Sequence, residues 1–247
     1  MIRDLHTHSY YSDGKASPEE MVLAAINKGL GEIGLSDHSY TFFDESYCMK
    51  KDKIASYKAE LAALKKKYAG QISVLCGVEQ DAFSVESTEG YDYVIGSAHY
   101  LKVNGKYYPV DEKAADFESL CQNGFGGDYY ALAEEYFGIM ANFAEREDVS
   151  IIGHFDLITK FNEGGRLFNE NHPRYLSAAK AAMDKLLAAG KTFEINTGAM
   201  ARGYRSVPYP APTLLMYLRG MDGRTILSSD AHTPQNIAFA FDRFREE

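Results

Sequence analysis

Seven short apolar runs, separated by longer stretches of helical period, constrain the fold of this chain most. Ile2 to His6, Glu32 to Ser36, Ile72 to Val78, Tyr91 to Gly96, Ser150 to Gly153, Thr192 to Asn196 and Arg224 to Ser228 read as strands. The spacing predicts helices between and after them. One opens at Ser17-Pro18-Glu19-Glu20, with Ser17 as N-cap, Pro18 at the first helical position and Glu20 closing a capping box, and stops at Gly29. Others run over Lys51 to Tyr68, Tyr129 to Arg146, Pro173 to Ala189, Pro212 to Arg219 and Pro234 to Arg245, while Leu101 to Asp128 has no regular period. Strands separated by helices pair in parallel through right-handed crossovers. Seven such units predict an α/β chain folded as a distorted (β/α)7 TIM-like barrel, one domain over residues 1–247. No Gly-rich dinucleotide fingerprint follows the first strand, which disfavours an open doubly wound sheet.

Residues with metal-binding chemistry recur at one end of these strands. His6 and His8 follow strand one, His38 strand two, Glu79 strand three, His99 strand four, His154 strand five, and Asp230 and His232 strand seven. Glu194 lies within strand six. The C-terminal strand ends of such a barrel form one rim, so motifs far apart in sequence converge there. A lone histidine at a strand end is usually a packed or surface residue. Six of the seven, accompanied by carboxylates at the same rim, point instead to a metal site. His172, ahead of Pro173, is expected to be a cap or surface residue. Asp37 is either a partner that orients a ligand or a turn residue.

The candidate ligands are His6, His8, Asp13, His38, Glu79, His99, His154, Asp230 and His232. One ion takes three to five of them when a position stays open. This set therefore suits two or three divalent ions, and its imidazole and carboxylate chemistry suits Zn, Mn or Fe. Such a pocket favours phosphate. The formal net charge of −9 argues against a long nucleic-acid track or an anionic membrane surface. The partner expected is a small phosphorylated molecule. Cys48, Cys76 and Cys121 share no paired spacing. They fit a reducing cytoplasm, as does the expected lack of a leader ahead of His6.

In order, His-x-His, Ser-Asp-Gly, Ser-Asp-His, Gly-x-Glu, Gly-Ser-x-His, Gly-His-x-Asp and Ser-Asp-x-His resemble the PHP (polymerase and histidinol phosphatase) superfamily over essentially the whole chain. Gly96-Ser97-Ala98-His99-Tyr100-Leu101, Gly153-His154-Phe155-Asp156-Leu157-Ile158 with Lys160-Phe161, and Glu194-Ile195-Asn196-Thr197 are similar to its histidinol-phosphatase branch. The resemblance implies a trinuclear centre. His6, His8, Glu79 and Asp230 would hold one ion, Glu79 with His99 and His154 a second, and Asp13, His38 and His232 a third.

It also implies hydrolysis of L-histidinol phosphate to L-histidinol and phosphate, through attack of a metal-bridging hydroxide. Glu79 would be the bridge, and Asp156 or a metal-bound water would protonate the leaving group. Arg166, Arg202 and Arg205 are candidates for the phosphate, the first two preferred, and Glu194 for a substrate ammonium. The alternatives are a nucleoside-monophosphate phosphatase or 3′–5′ exonuclease of the same superfamily, an amidohydrolase, and a non-catalytic metal-binding regulatory module.

Overall fold

The computed structural model describes residues 1–245. A two-residue β1 (Arg3–Asp4) leads into a loop and then α1 (Pro18–Asn27). The capping box forms: the Glu20 N–H donates to the Ser17 hydroxyl at 3.2 Å, and the Glu20 carboxylate accepts the Ser17 N–H at 2.7 Å. β2 (Glu32–Leu35), α2 (Ile54–Lys67), β3 (Ser73–Asp81) and β4 (Tyr93–Ser97) follow. A hairpin of β5 (Tyr100–Val103) and β6 (Lys106–Pro109), then α3 (Ala114–Phe125) and α4 (Tyr129–Ala141), separate β4 from β7 (Ile151–Ile152). The chain continues through α5 (Pro173–Ala188), β8 (Thr192–Asn196), the single turn α6 (Gly198–Ala201), α7 (Pro212–Gly220) and β9 (Thr225–Ser228).

The seven strands β1, β2, β3, β4, β7, β8 and β9 pair in that order, each parallel to the next, into a nearly closed barrel. Side-chain alternation decides what each strand residue does. Leu75, Tyr93, Ile95, Ile151 and Ile226 pack with Leu5 in the barrel interior. Val78, Val94, Ile152, Phe193 and Ile195 face outward into the layer shared with α3, α4, α5 and α7. Glu79 has the parity of Leu75, and Glu194 alternates with Phe193 and Ile195. Both carboxylates therefore enter the barrel rather than the apolar outer layer.

Two segments differ from their expected form. Residues 101–128 hold the hairpin and α3, which a search for helical period does not register. Their signal is turn chemistry: Asn104 and Gly105, both at positive φ (50° and 80°), join β5 to β6. The helix expected over Pro234 to Arg245 is instead two 3-10 turns, Pro234–Asn236 and Phe241–Arg243. Its backbone is engaged elsewhere. Lys28 Nζ donates to the carbonyls of Gln235 and Ile237, and the Ala238 N–H donates to Asp4 Oδ2. Ala238 and Ala240 take positive φ, which an α-helix does not allow.

The barrel closes where the two ends of the chain meet. Thr7 and Ala231 form a parallel bridge, in which the His8 N–H donates to the Ala231 carbonyl at 2.9 Å. Below it, fully buried Asp4 accepts the Ser229 N–H and hydroxyl and the Ala238 N–H. Asp4→Ala would leave these donors buried without an acceptor. It should lower the unfolding free energy by about 2–4 kcal/mol, read as a shift of the urea midpoint. A change under about 0.5 kcal/mol, the usual effect of a surface substitution, would mean that the seam holds without this clamp.

Candidate functional site

All nine expected ligand side chains converge at the C-terminal rim of the barrel, and Glu79 is their centre. Its Oε1 lies 2.8 Å from His154 Nε2 and 3.4 Å from His99 Nε2. Its Oε2 lies 2.8 Å from His38 Nδ1, 3.2 Å from His6 Nε2 and 3.6 Å from His8 Nε2. Each oxygen therefore faces a different group of imidazoles. Asp230 Oδ1 sits 3.2 Å from His8 Nε2 and 3.7 Å from His6 Nε2. Asp13 lies 3.6 Å from His38 Nε2 and 3.1 Å from His232 Nε2.

Donor atoms close enough to share an ion fall into four overlapping groups. These are His6, Glu79 and His154; His6, His8 and Asp230; His38, Glu79 and His99; and His8, Asp13, His38 and His232. His8 thus reaches both the ion expected with Asp230 and the one expected with Asp13.

Local structure fixes these side chains. Buried Asp37 accepts the N–H and hydroxyl of both Ser9 and Ser12, folding the loop that presents Asp13. It organises that loop and bonds to no ligand histidine. Asp230 stands at a positive φ of 50°, a conformation a non-glycine residue keeps only when its surroundings enforce it. Arg202 does so, donating to the Asp230 carbonyl and to its Oδ2, each at 2.9 Å. Gly198 permits the approach, because a Cβ there would stand 2.7 Å from Asp230 Oδ2.

Charge and burial oppose each other throughout. Burial alone would raise the Glu79 carboxyl, but His6, His38 and His99 hold it well below its ordinary value. Arg202 and His6 do the same for Asp230 against its burial. Burial, reinforced by His232 and His38, drives the His8 imidazole down to about 3. His8 is therefore neutral, with both ring nitrogens buried and without a hydrogen-bond partner. Within the same cluster, His6 Nε2, His154 Nδ1, Asp13 Oδ1 and Glu79 Oε2 share that condition. Buried polar atoms are ordinarily satisfied, and a set of nitrogen and oxygen donors left over together fits divalent cations.

The cluster faces a pocket of about 300 Å³ lined by Asp13, His38, His99, His154, Asp230 and His232 on one side. Asp44, Tyr47, Tyr100, Asp111, Glu112, Lys160, Arg202 and Tyr204 are among the residues completing it. Of the expected phosphate-binding arginines only Arg202 is there. Arg205 is buried, donating to Glu170 Oε1 at 2.7 Å and to the Thr159 carbonyl at 2.9 Å. Arg166 is exposed and pairs with Glu118 at 2.9 Å.

Glu194 does not line the pocket either. Its Oε1 accepts from His6 Nδ1 at 2.8 Å, and its Oε2 accepts the His154 N–H and an amide N–H of Asn196. It orients ligands. Asp156, the candidate acid, is fully buried outside the pocket lining; it accepts the Ala211 N–H, and burial pushes its carboxyl up to about 7. His172 caps α5 and stacks on Tyr130 as a surface residue.

Two residues at the site were not among the expected site residues. Lys160 is the second cation of the lining, its Nζ over the Tyr204 ring at 5.0 Å. Asp81, two residues beyond Glu79 and so on the same face, lies 3.2 Å from His99 Nδ1. That i, i+2 relation is the signal that would have found it.

Comparison with known proteins gives a consistent pattern. The profile of the PHP domain matches residues 4–198. A protein of Deinococcus radiodurans, given as a probable histidinol-phosphatase, is 32% identical, covering 96% of this chain and 89% of that protein. A structure from Listeria monocytogenes, provisionally a histidinol phosphatase, superposes with a TM-score of 0.84 at 20% identity, over 98% of this chain and 100% of that one. A histidinol phosphate phosphatase from Lactococcus lactis, complexed with zinc, L-histidinol and phosphate, superposes with a TM-score of 0.68 at 19% identity, over 94% and 87%.

Partners that orient a metal-binding imidazole typically contribute 10- to 100-fold in affinity. Asp81→Asn should accordingly weaken metal retention by about 10- to 100-fold, measured by competition with a chromogenic chelator. A superimposable competition curve would make Asp81 a turn residue only.

Proposed function

The chain belongs to the PHP domain family, and from that premise we propose that it is a metal-dependent phosphomonoesterase hydrolysing L-histidinol phosphate to L-histidinol and inorganic phosphate. One observation carries the reading. A buried carboxylate, Glu79, sits between two sets of imidazoles beneath a pocket that also holds two side-chain cations. The histidinol-phosphatase relative aligned over almost the whole chain supports the choice of leaving group.

His6, His8, Glu79 and Asp230 would hold one ion, Glu79 with His99 and His154 a second, and Asp13, His38 and His232 a third. Zinc, found in the Lactococcus lactis structure, is the ion to test first, ahead of manganese and iron. When bound, the ions supply water of lowered pKa and neutralise charge on the phosphoryl oxygens. The chain's own groups do the rest. Glu79 keeps its charge because imidazoles surround it, and so would be available as a ligand to more than one ion at neutral pH. Glu194 fixes the tautomer of His6 by accepting from Nδ1, leaving Nε2 free to ligate. Arg202 and Lys160 hold phosphate oxygens through charge-assisted hydrogen bonds. Residues 1–247 act as one catalytic domain.

The deciding experiment compares rates on L-histidinol phosphate, AMP and a phosphodiester, with metal analysis of the purified protein. Two or three ions per chain and a strong preference for L-histidinol phosphate are expected. A preference for AMP or for the diester would move the chain to the nucleotide-directed reading, and one ion or none would remove the trinuclear assignment. The two cations separate in a second measurement. Lys160→Ala should raise KM about tenfold, as for one lost charge-assisted hydrogen bond, with metal content unchanged. Arg202→Ala should lose bound metal as well, since it removes the support of Asp230. Equal metal content in both variants would assign Arg202 to substrate alone.

A further inference from the structure

Tyr57, Leu61 and Leu64 form a buried stripe at helical spacing on α2, in one apolar cluster with Ile33, Leu35 and Val74 of β2 and β3. The two leucines are ordinary core residues. Tyr57 is fully buried too, but it carries a hydroxyl, which lies where the pairing of the two strands is interrupted. β2 pairs with β3 as far as Leu35 and Cys76. Pairing resumes, in the same register, only at His38 and Glu79, two of the expected metal ligands. Over the gap the Glu79 N–H is shared between the carbonyls of Ser36 and Asp37, at 3.2 and 3.3 Å. The Tyr57 hydroxyl bridges the same gap. Its proton is shared between the carbonyls of Leu35 at 2.7 Å and Gly77 at 3.0 Å, and its oxygen accepts the Asp37 N–H at 3.4 Å.

We propose that Tyr57 is a positioning residue for the metal centre, its hydroxyl setting the spacing of the His38 and Glu79 strand ends before any ion binds. This rests on the metal-dependent reading above. Tyr57 bonds to no ligand side chain among the described residues, so it acts through the backbone. Two of the groups it meets lead directly to a ligand: Asp37 precedes His38, and Gly77 stands two residues before Glu79 in β3. The Asp37 carboxylate in turn folds the loop that carries Asp13. Tyr11, in that loop, meets the Tyr57 ring edge-on at 5.3 Å. His38 Nδ1 lies 2.8 Å from Glu79 Oε2, and these two side chains with His99 form one of the groups able to share an ion. A shift of one strand end against the other therefore moves a donor of that group out of reach. Buried backbone groups are ordinarily paired, and over this gap part of the pairing comes from a side chain fixed on a helix. Phenylalanine would keep the ring and its packing on α2. It would leave the three backbone groups to water or to collapse of the gap, and either outcome changes the spacing.

The test has two arms. In the first, amide hydrogen exchange is followed in wild-type protein with zinc bound and after the metal is stripped. The Ser39 and Glu79 amides, which pair the two strand ends, should stay protected in both states. Rapid exchange at these amides in the stripped protein alone would mean that the ions set the spacing, and would overturn the inference while leaving the metal reading intact. This arm needs no variant, so a substitution that fails to fold does not remove the test. In the second arm, Tyr57→Phe should weaken zinc retention about tenfold, the lower end of the effect of groups that orient ligands, measured by competition with a chromogenic chelator. Leu61→Ala, one turn further along α2, removes packing but no bond to the strands. It should lower the urea midpoint and keep the wild-type zinc curve. A wild-type curve for Tyr57→Phe, or an equal loss of zinc in Leu61→Ala, would return Tyr57 to the core. Wild-type protein that retains no divalent ion would instead refute the metal-dependent reading, and this inference with it.

Discussion

A charged carboxylate with almost no exposed surface is costly, and Glu79 is such a group at the focus of the barrel. Taking a carboxylate out of water costs several kcal/mol even after relaxation, and its return comes from the imidazoles crowded around both oxygens. Those imidazoles repel one another if protonated. The His8 ring lies 4.4 Å from that of His38 and 4.3 Å from that of His232, and His8 is accordingly neutral. Protons alone therefore do not satisfy this set of donors. Divalent cations do, because one ion replaces several protons and accepts lone pairs from neutral imidazole and carboxylate together.

That requirement ties the metal centre to the closure of the barrel. His6 and His8 follow the first strand and Asp230 and His232 the last, so the cluster of expected ligands is complete only when the two chain ends lie side by side. The bridge between Thr7 and Ala231 brings them there, and Asp4 anchors Ser229 and Ala238 beneath it. The same anchoring explains why the C-terminal stretch is not an α-helix. Its N–H and C=O groups serve long-range contacts to Asp4 and Lys28, which outweigh the local ladder that its sequence would otherwise support.

The parallel strands and the convergence of nine expected ligand side chains were legible in the sequence because strand and helix alternate along the chain and metal-binding residue types recur after the strands; the capping box was legible because Ser17 and Glu20 are a local pattern. What was not legible has a common cause. Glu194 lies within β8, and Asp156, Arg166 and Arg205 lie in the segments that follow β7 and β8, but chain position gives neither depth nor partner. Glu170 and Glu118, which take Arg205 and Arg166, belong to other segments and have no motif spacing. Lys160 was visible only as part of a branch motif. The hairpin at Asn104-Gly105 was readable in principle from its turn residues, but it interrupts the alternation of strand and helix on which the barrel reading depends.

The hairpin's position divides the labour of the pocket. Ligands at the ends of parallel strands are held by ladders on both sides and by buried acids such as Glu194 and Asp81, so their geometry resists change. Asp111 stands on an excursion between β4 and β7, outside the ladder, where substitution alters the pocket without disturbing strand pairing. The rim side chains depend on strand pairing in the barrel, whereas the inserted segment reaches the pocket through a hairpin that forms a separate sheet. This asymmetry follows from the topology alone, since only the rim residues depend on closure of the barrel.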